Sequence, residues 1–259
     1  MAERYINESP YVYVGNNPMI MIDPDGMAYR PTQDSTGAYT GFEWVDDSEA
    51  YDDEGNLLDG YFERAILFVY SGTESSTIGS AEATVYDFVE KVNEDGTVTR
   101  SAATPVTYKA QTSPSDSKKF GTVKRNVLLQ AVNHIHNSQA RGPNPALQLR
   151  TLNGSSNVPA LGKNPATGLR TISGANIHMA GGNNFTGTYN AEVGYTYQLM
   201  WGQTHSTPYG PIYGIYQTRV PVYRYSGVSE ACFLIDVNNW SAFMSHFPIG
   251  MGRVGVINK

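Results

Sequence analysis

Apolar residues in this chain come in short runs, many alternating with polar ones, and Gly, Pro, Asn and Asp cut the runs at short intervals. Alternation with period two puts every second side chain on one face of a strand, whereas a helix needs apolar positions three and four apart over roughly a dozen residues. The pattern predicts strands over residues 62–70 (FERAILFVY), 83–91, 97–100, 105–111 and 143–150, with Asn93-Glu94-Asp95-Gly96 as the turn into the third. Residues 122–135 read as strands around a turn, and 172–178 as one strand. Further strands are expected at 195–201, 214–216 and 219–225. Only residues 239–246 (NWSAFMSH) have a helical pattern, with Trp240, Phe243 and Met244 on one face and Asn238 or Asn239 as N-cap. The predicted fold is mostly β: a sandwich or barrel with one short C-terminal helix.

Composition agrees with that reading. Charged residues make up only 16% of the 259, beside 18 Tyr, 26 Gly and 14 Pro. The net charge is −6 and the Lys and Arg residues are scattered, so nucleic acid is not an expected partner. The acidic balance, without a metal–carboxylate cluster, also argues against a nuclease. No apolar run reaches the roughly 20 residues of a helical membrane span. Met1-Ala2-Glu3-Arg4-Tyr5 lacks the basic and apolar regions of a Sec leader. The expected localisation is therefore cytoplasmic before delivery by a route without such a leader.

Two organisational features stand at the N-terminal end. Residues 9–27 read as a strand with Tyr11 and Tyr13, a Gly15-Asn16-Asn17-Pro18 turn, an apolar strand, and the turn Ile22-Asp23-Pro24-Asp25-Gly26. This double motif resembles the core terminus of RHS-repeat proteins. The resemblance implies that residues 1–30 end an RHS-like core, whose cleavage element matches Asp23 and Asp25, and that the rest is a passenger, commonly a toxin with a cognate immunity protein. Residues 31–60 are polar and acidic and read as a linker or loop-rich lead-in; residues 61–259 would form the β-rich effector domain. The acidic stretch 52–56 lacks the spaced ligands of a calcium loop and reads as a solvated turn.

The candidate chemistry lies in the C-terminal half. Cys232 is the only cysteine, which excludes an intrachain disulfide and any multi-cysteine zinc site. It follows a short polar turn beginning at Ser229. His178 ends the strand at 172–178 and runs into Met179-Ala180-Gly181-Gly182-Asn183. A thiolate is the attacking form of cysteine, and a neighbouring imidazole populates it near neutral pH. The expected site has Cys232 as nucleophile and His178 as base, with Ser229 or a backbone carbonyl orienting the ring. Backbone N–H groups near Ala231 and Cys232 would hold the oxyanion. Gly181, Asn183, Trp201, His205 and Tyr209 are the candidate substrate contacts, with Tyr213 and Tyr216 as further aromatic faces. His134 and His136 share one strand face but lack a carboxylate partner for a metal. No metal and no cofactor are expected.

Asn176-Ile177-His178, then Ser229-Glu230-Ala231-Cys232-Phe233-Leu234-Ile235 and the helix after it, resemble the L,D-transpeptidase family. The resemblance implies acyl transfer or hydrolysis on the peptidoglycan stem peptide in the periplasm. Glu230-Ala231 stands where that family has His-Gly, no basic residue follows the cysteine, and residues 189–225 read as an aromatic insertion. Ala231 carries a Cβ where glycine would form a strained elbow more easily. The competing reading is a non-catalytic β module that binds cell-wall glycan or a partner protein through the Tyr-rich 189–225 region.

Overall fold

The computed structural model describes residues 27–45, 50–52, 56–71, 78–114, 117–138, 142–180, 190–207, 210–224, 231–249 and 251–259. They form a mostly-β protein with one short helix. In chain order the strands are β1 (Ala28–Gln33), β2 (Tyr39–Val45), β3 (Arg64–Tyr70), β4 (Ala81–Tyr86), β5 (Phe88–Val92), β6 (Val98–Ala102), β7 (Val106–Gln111) and β8 (Val127–Ser138). Then come β9 (Gly142–Arg150), β10 (Asn157–Pro159), β11 (Thr171–Ser173), β12 (Asn176–Met179), β13 (Asn190–Thr207), β14 (Gly210–Arg224) and β15 (Phe233–Ile235). The helix α1 (Trp240–Ser245) and β16 (Val254–Asn258) complete the order. Eight strands close into a barrel, in the order β12-β15-β7-β4-β3-β16-β8-β9. Closure pairs every strand on both sides, so the barrel leaves no open edge. Among the described residues no helix is long and apolar enough to cross a membrane.

The barrel interior is packed. Ile66, Phe68, Val85, Leu129, Leu147, Leu149, Ile177, Phe233, Ile235, Val254 and Val256 form one buried cluster, which Trp240, Phe243 and Phe247 join from α1 and the residues after it. Asn239 occupies the N-cap position without a side-chain cap bond. Instead Asp236 accepts the Asn238 backbone N–H at 2.9 Å, in a turn that leads into the helix. Strand β3 has no polar alternation because both of its faces are covered. Ile66 and Phe68 enter the interior, while Ala65 and Leu67 join an outer cluster with Tyr29, Phe42, Phe62 and Ile257. The β1–β2 hairpin supplies much of that outer layer, so residues 31–45 are a packed β-hairpin rather than the loop-rich lead-in expected for them. Gly255 on β16 is what lets the layer close, because a Cβ there would lie 2.6 Å from Phe62 Cδ2.

Three sequence expectations shift, each for a local reason. The strand expected at 83–91 breaks at Asp87, whose carboxylate accepts bonds from Arg64 Nε (2.7 Å), the Phe88 N–H (2.8 Å) and His246 Nδ1 (2.8 Å). The chain there leaves the barrel for the separate β5–β6 hairpin. Residues 127–138 form a single strand, and the turn expected within 122–135 falls at Asn126, whose φ of 52° a short polar side chain tolerates. The strand expected at 172–178 divides at Gly174, which turns with φ 68° between β11 and β12. The aromatic insertion is one long antiparallel hairpin, β13–β14, rather than three short strands.

Candidate functional site

Strands β12 and β15 are parallel neighbours in the barrel wall, with Ile177 opposite Phe233, His178 opposite Leu234 and Met179 opposite Ile235. The ladder runs one step further, where the Ala180 N–H donates to the Ile235 carbonyl at 2.9 Å. Ile177, Phe233 and Ile235 fill the interior cluster. By strand alternation, His178 and the Cys232–Leu234 pair belong to the opposite, outer side of the wall. Cys232 immediately precedes β15, two residues from Leu234 and just outside the paired segment. The thiol is half-buried and not in a disulfide. The segments that carry the expected nucleophile and base are therefore adjacent in the barrel wall.

The His178 ring is oriented by backbone. Its Nδ1 lies 2.9 Å from the Met179 carbonyl oxygen. A carbonyl only accepts, so Nδ1 carries the proton, and the basic lone pair of the neutral ring is on Nε2. Of the two orienting groups expected, the carbonyl is present; Ser229 lies outside the described residues.

The turn before the thiol is unusual. Ala231 has φ 140°, a backbone region favouring glycine, and it is buried at 4% exposure. Among described non-glycine residues only Asn126 shares a positive φ. Ala231 adopts this conformation although it carries a Cβ. Residues in such conformations persist where the surrounding packing dictates them, commonly at functional sites.

One participant was not foreseen in this role. His136 on β8 stacks on His178 with ring centroids 4.7 Å apart and planes 10° from parallel. The two strands are separated by β9, whose Ala146 lies opposite His134 and has only a methyl group. Asn176, at 4% exposure, places Nδ2 3.3 Å from His136 Nδ1 and 2.9 Å from the Gly174 carbonyl. An amide NH₂ only donates, so His136 Nδ1 accepts and its proton is on Nε2. Burial first, and the nearby His134 second, hold the His136 imidazole below its ordinary pKa. The sequence spacing put His134 and His136 on one strand face, but nothing in it aligned β8 with β12. No group of three His, Cys, Asp or Glu side chains among the described residues could hold a metal ion. Parallel stacked rings also aim their nitrogens in parallel rather than at one point.

The other candidate contacts fare unevenly. Trp201 and His205 fall on β13, with backbones opposite Ile215 and Ile212 of β14. Gly181, Asn183 and Tyr209 lie outside the described residues, as does the motif at 11–26. Ile215 and Tyr216, on β14, are exposed. No protein-family model, curated protein or solved structure matches this chain.

Proposed function

We propose that this is a cysteine-dependent acyltransferase or hydrolase acting on peptide carbonyls, with the stem peptide of peptidoglycan as its substrate. The observation that supports the reading is the parallel β12–β15 register, which sets His178 opposite Leu234, two residues after Cys232. The Nδ1 bond to the Met179 carbonyl adds the tautomer a base requires. In the proposed cycle His178 Nε2 takes the Cys232 thiol proton, and the thiolate adds to the carbonyl carbon. Backbone N–H groups at the Ala231–Cys232 turn hold the oxyanion. The C–N bond then breaks, and the leaving amine receives the proton from His178. The thioester passes its acyl group to a second amine or to water, whose proton returns through His178 to the thiolate.

The RHS-like motif at 11–27 supports a setting for this chemistry: the C-terminal effector of an RHS-type protein, acting in the periplasm of a target cell and neutralised by an immunity protein. Incubating purified peptidoglycan with wild type and Cys232→Ala tests the activity. Altered stem peptides with wild type alone are expected. Identical muropeptide profiles for the two would reject the reading.

The competing reading, a non-catalytic β module binding glycan or a partner protein, is favoured by the exposed Ile215 and Tyr216 on β14. It predicts peptidoglycan pull-down that survives Cys232→Ala and is lost on Tyr216→Ser.

A further inference from the structure

We infer that His136 is a positioning residue for His178, a ring clamp that keeps the base's Nε2 turned toward Cys232. The inference rests on the cysteine–histidine reading for its purpose, but on independent geometry for its substance.

An imidazole turns about χ2, a broad torsion, so contacts on both its edge and its face define its plane. The Met179 carbonyl fixes one edge of the His178 ring. The face-to-face contact with His136 fixes its plane. His136 is itself anchored, since its Nδ1 accepts from Asn176, and Asn176 is tied to the Gly174 carbonyl. Asn176 belongs to β12 together with His178, so the clamp reaches from β8 across β9 and fastens on the strand that carries the base. On β9, Asn144 lies opposite His136 and Ala146 opposite His134.

The clamp also suits the charge that would develop. When His178 accepts the thiol proton it becomes a cation. A neutral aromatic face against a cation is favourable, whereas a second cation stacked there would oppose protonation. Among the described residues, His134 on its own strand and His178 face His136; burial and then His134 favour its neutral form.

Ring NMR and thiol alkylation together test this. The protein has five histidines, so the ¹⁵N shifts of His178 can be assigned by its loss in a His178→Gln variant. Wild type is expected to show the Nδ1–H tautomer of His178 alone. His136→Phe, which keeps a flat ring without a nitrogen, should retain it. His136→Ala should give mixed tautomers, slow iodoacetamide alkylation of Cys232 at pH 7 by about tenfold or more, and move the thiol titration toward the free-thiol value of about 8.5. Circular dichroism and thermal melts identify variants that fail to fold; if His136→Ala does, His136→Leu, which fills the space without a ring, replaces it with the same expectations. His178 shifts unchanged in His136→Ala overturn the clamp, as do His136→Phe shifts that follow those of His136→Ala. A wild-type thiol that titrates like free cysteine, with the His178 tautomer still responding to His136, would instead sink the catalytic reading and leave the clamp standing.

Discussion

Replacing Ala231 by glycine tests whether the turn before the thiol is held under strain. Ala231 sits at φ 140° and is buried in the interior cluster. A side-chain-bearing residue in a sparsely populated backbone region costs about 1–3 kcal/mol, which glycine would relieve. Against this, the substitution removes a buried methyl, about 0.8 kcal/mol. It also loosens the unfolded chain by about 0.5–1 kcal/mol. The net change falls between a loss of about 1 and a gain of about 1.5 kcal/mol. A matched control sharpens the comparison. Ala110 on β7 is fully buried in the same cluster and is not among the positive-φ residues. Ala110→Gly bears both losses without relief and should cost about 1.5 kcal/mol. The two variants should therefore differ by about 1–3 kcal/mol, read as a difference in urea midpoint at constant m-value. Equal losses at the two positions would refute the strain argument, and with it the view that packing imposes this backbone on the residue before Cys232.

Three further outcomes are expected. Gly255→Ala would drive a Cβ to 2.6 Å from Phe62 Cδ2 and 3.0 Å from Phe42 Cε1, both on buried rings, and should destabilise by about 3 kcal/mol, lowering Tm by roughly 6–12 °C. An unchanged Tm would mean the outer aromatic layer yields freely. Burial pushes the Asp87 carboxyl up, but the His246 and Phe88 hydrogen bonds and the Arg64 guanidinium outweigh it and leave the group below its usual range. Its contribution is thus complete above the unfolded carboxylate value near 4 and is lost as pH falls from there through the folded value. The stability advantage of wild type over Asp87→Asn should shrink as pH falls below about 4; a gap that does not change there would contradict this. Finally, Cys232 should react with iodoacetamide with an apparent pKa well below about 8.5, and His178→Ala should restore the ordinary value; identical profiles would separate the two groups chemically.

Much of the architecture was legible because strand alternation leaves a direct imprint. Runs such as Arg64–Tyr70 and Val106–Gln111 emerged as strands within a residue or two of their expected limits. The misplaced boundaries share a cause. At Asp87 and Asn126 a polar side chain or a left-handed backbone ends the pairing, and those contacts come from residues distant in sequence, Arg64 and His246 at Asp87 and the Asn258 carbonyl at Asn126. The polar β1–β2 hairpin was missed because its apolar positions are aromatic residues spaced among charged ones, and their value appears only against Phe62 and Leu67. At the candidate site, the sequence singles out Cys232 and His178 by residue type and flanking pattern, and the β12–β15 pairing sets their segments side by side. His136 and the Met179 carbonyl were not, since the first depends on strand order and the second has no side-chain signature.

The long excursion between β12 and β15 bears on how the site can assemble at all. Joining two parallel strands through so many residues carries a closure entropy that grows with the unstructured length between them. The β13–β14 hairpin draws its ladder from neither β12 nor β15, and forming it first would shorten the loop that β15 must close. It then removes most of the excursion from the closing loop, and a roughly threefold shortening lowers the entropic barrier by about 1 kcal/mol. On that account the insertion would ease the pairing of β12 with β15, and removing it would slow that step.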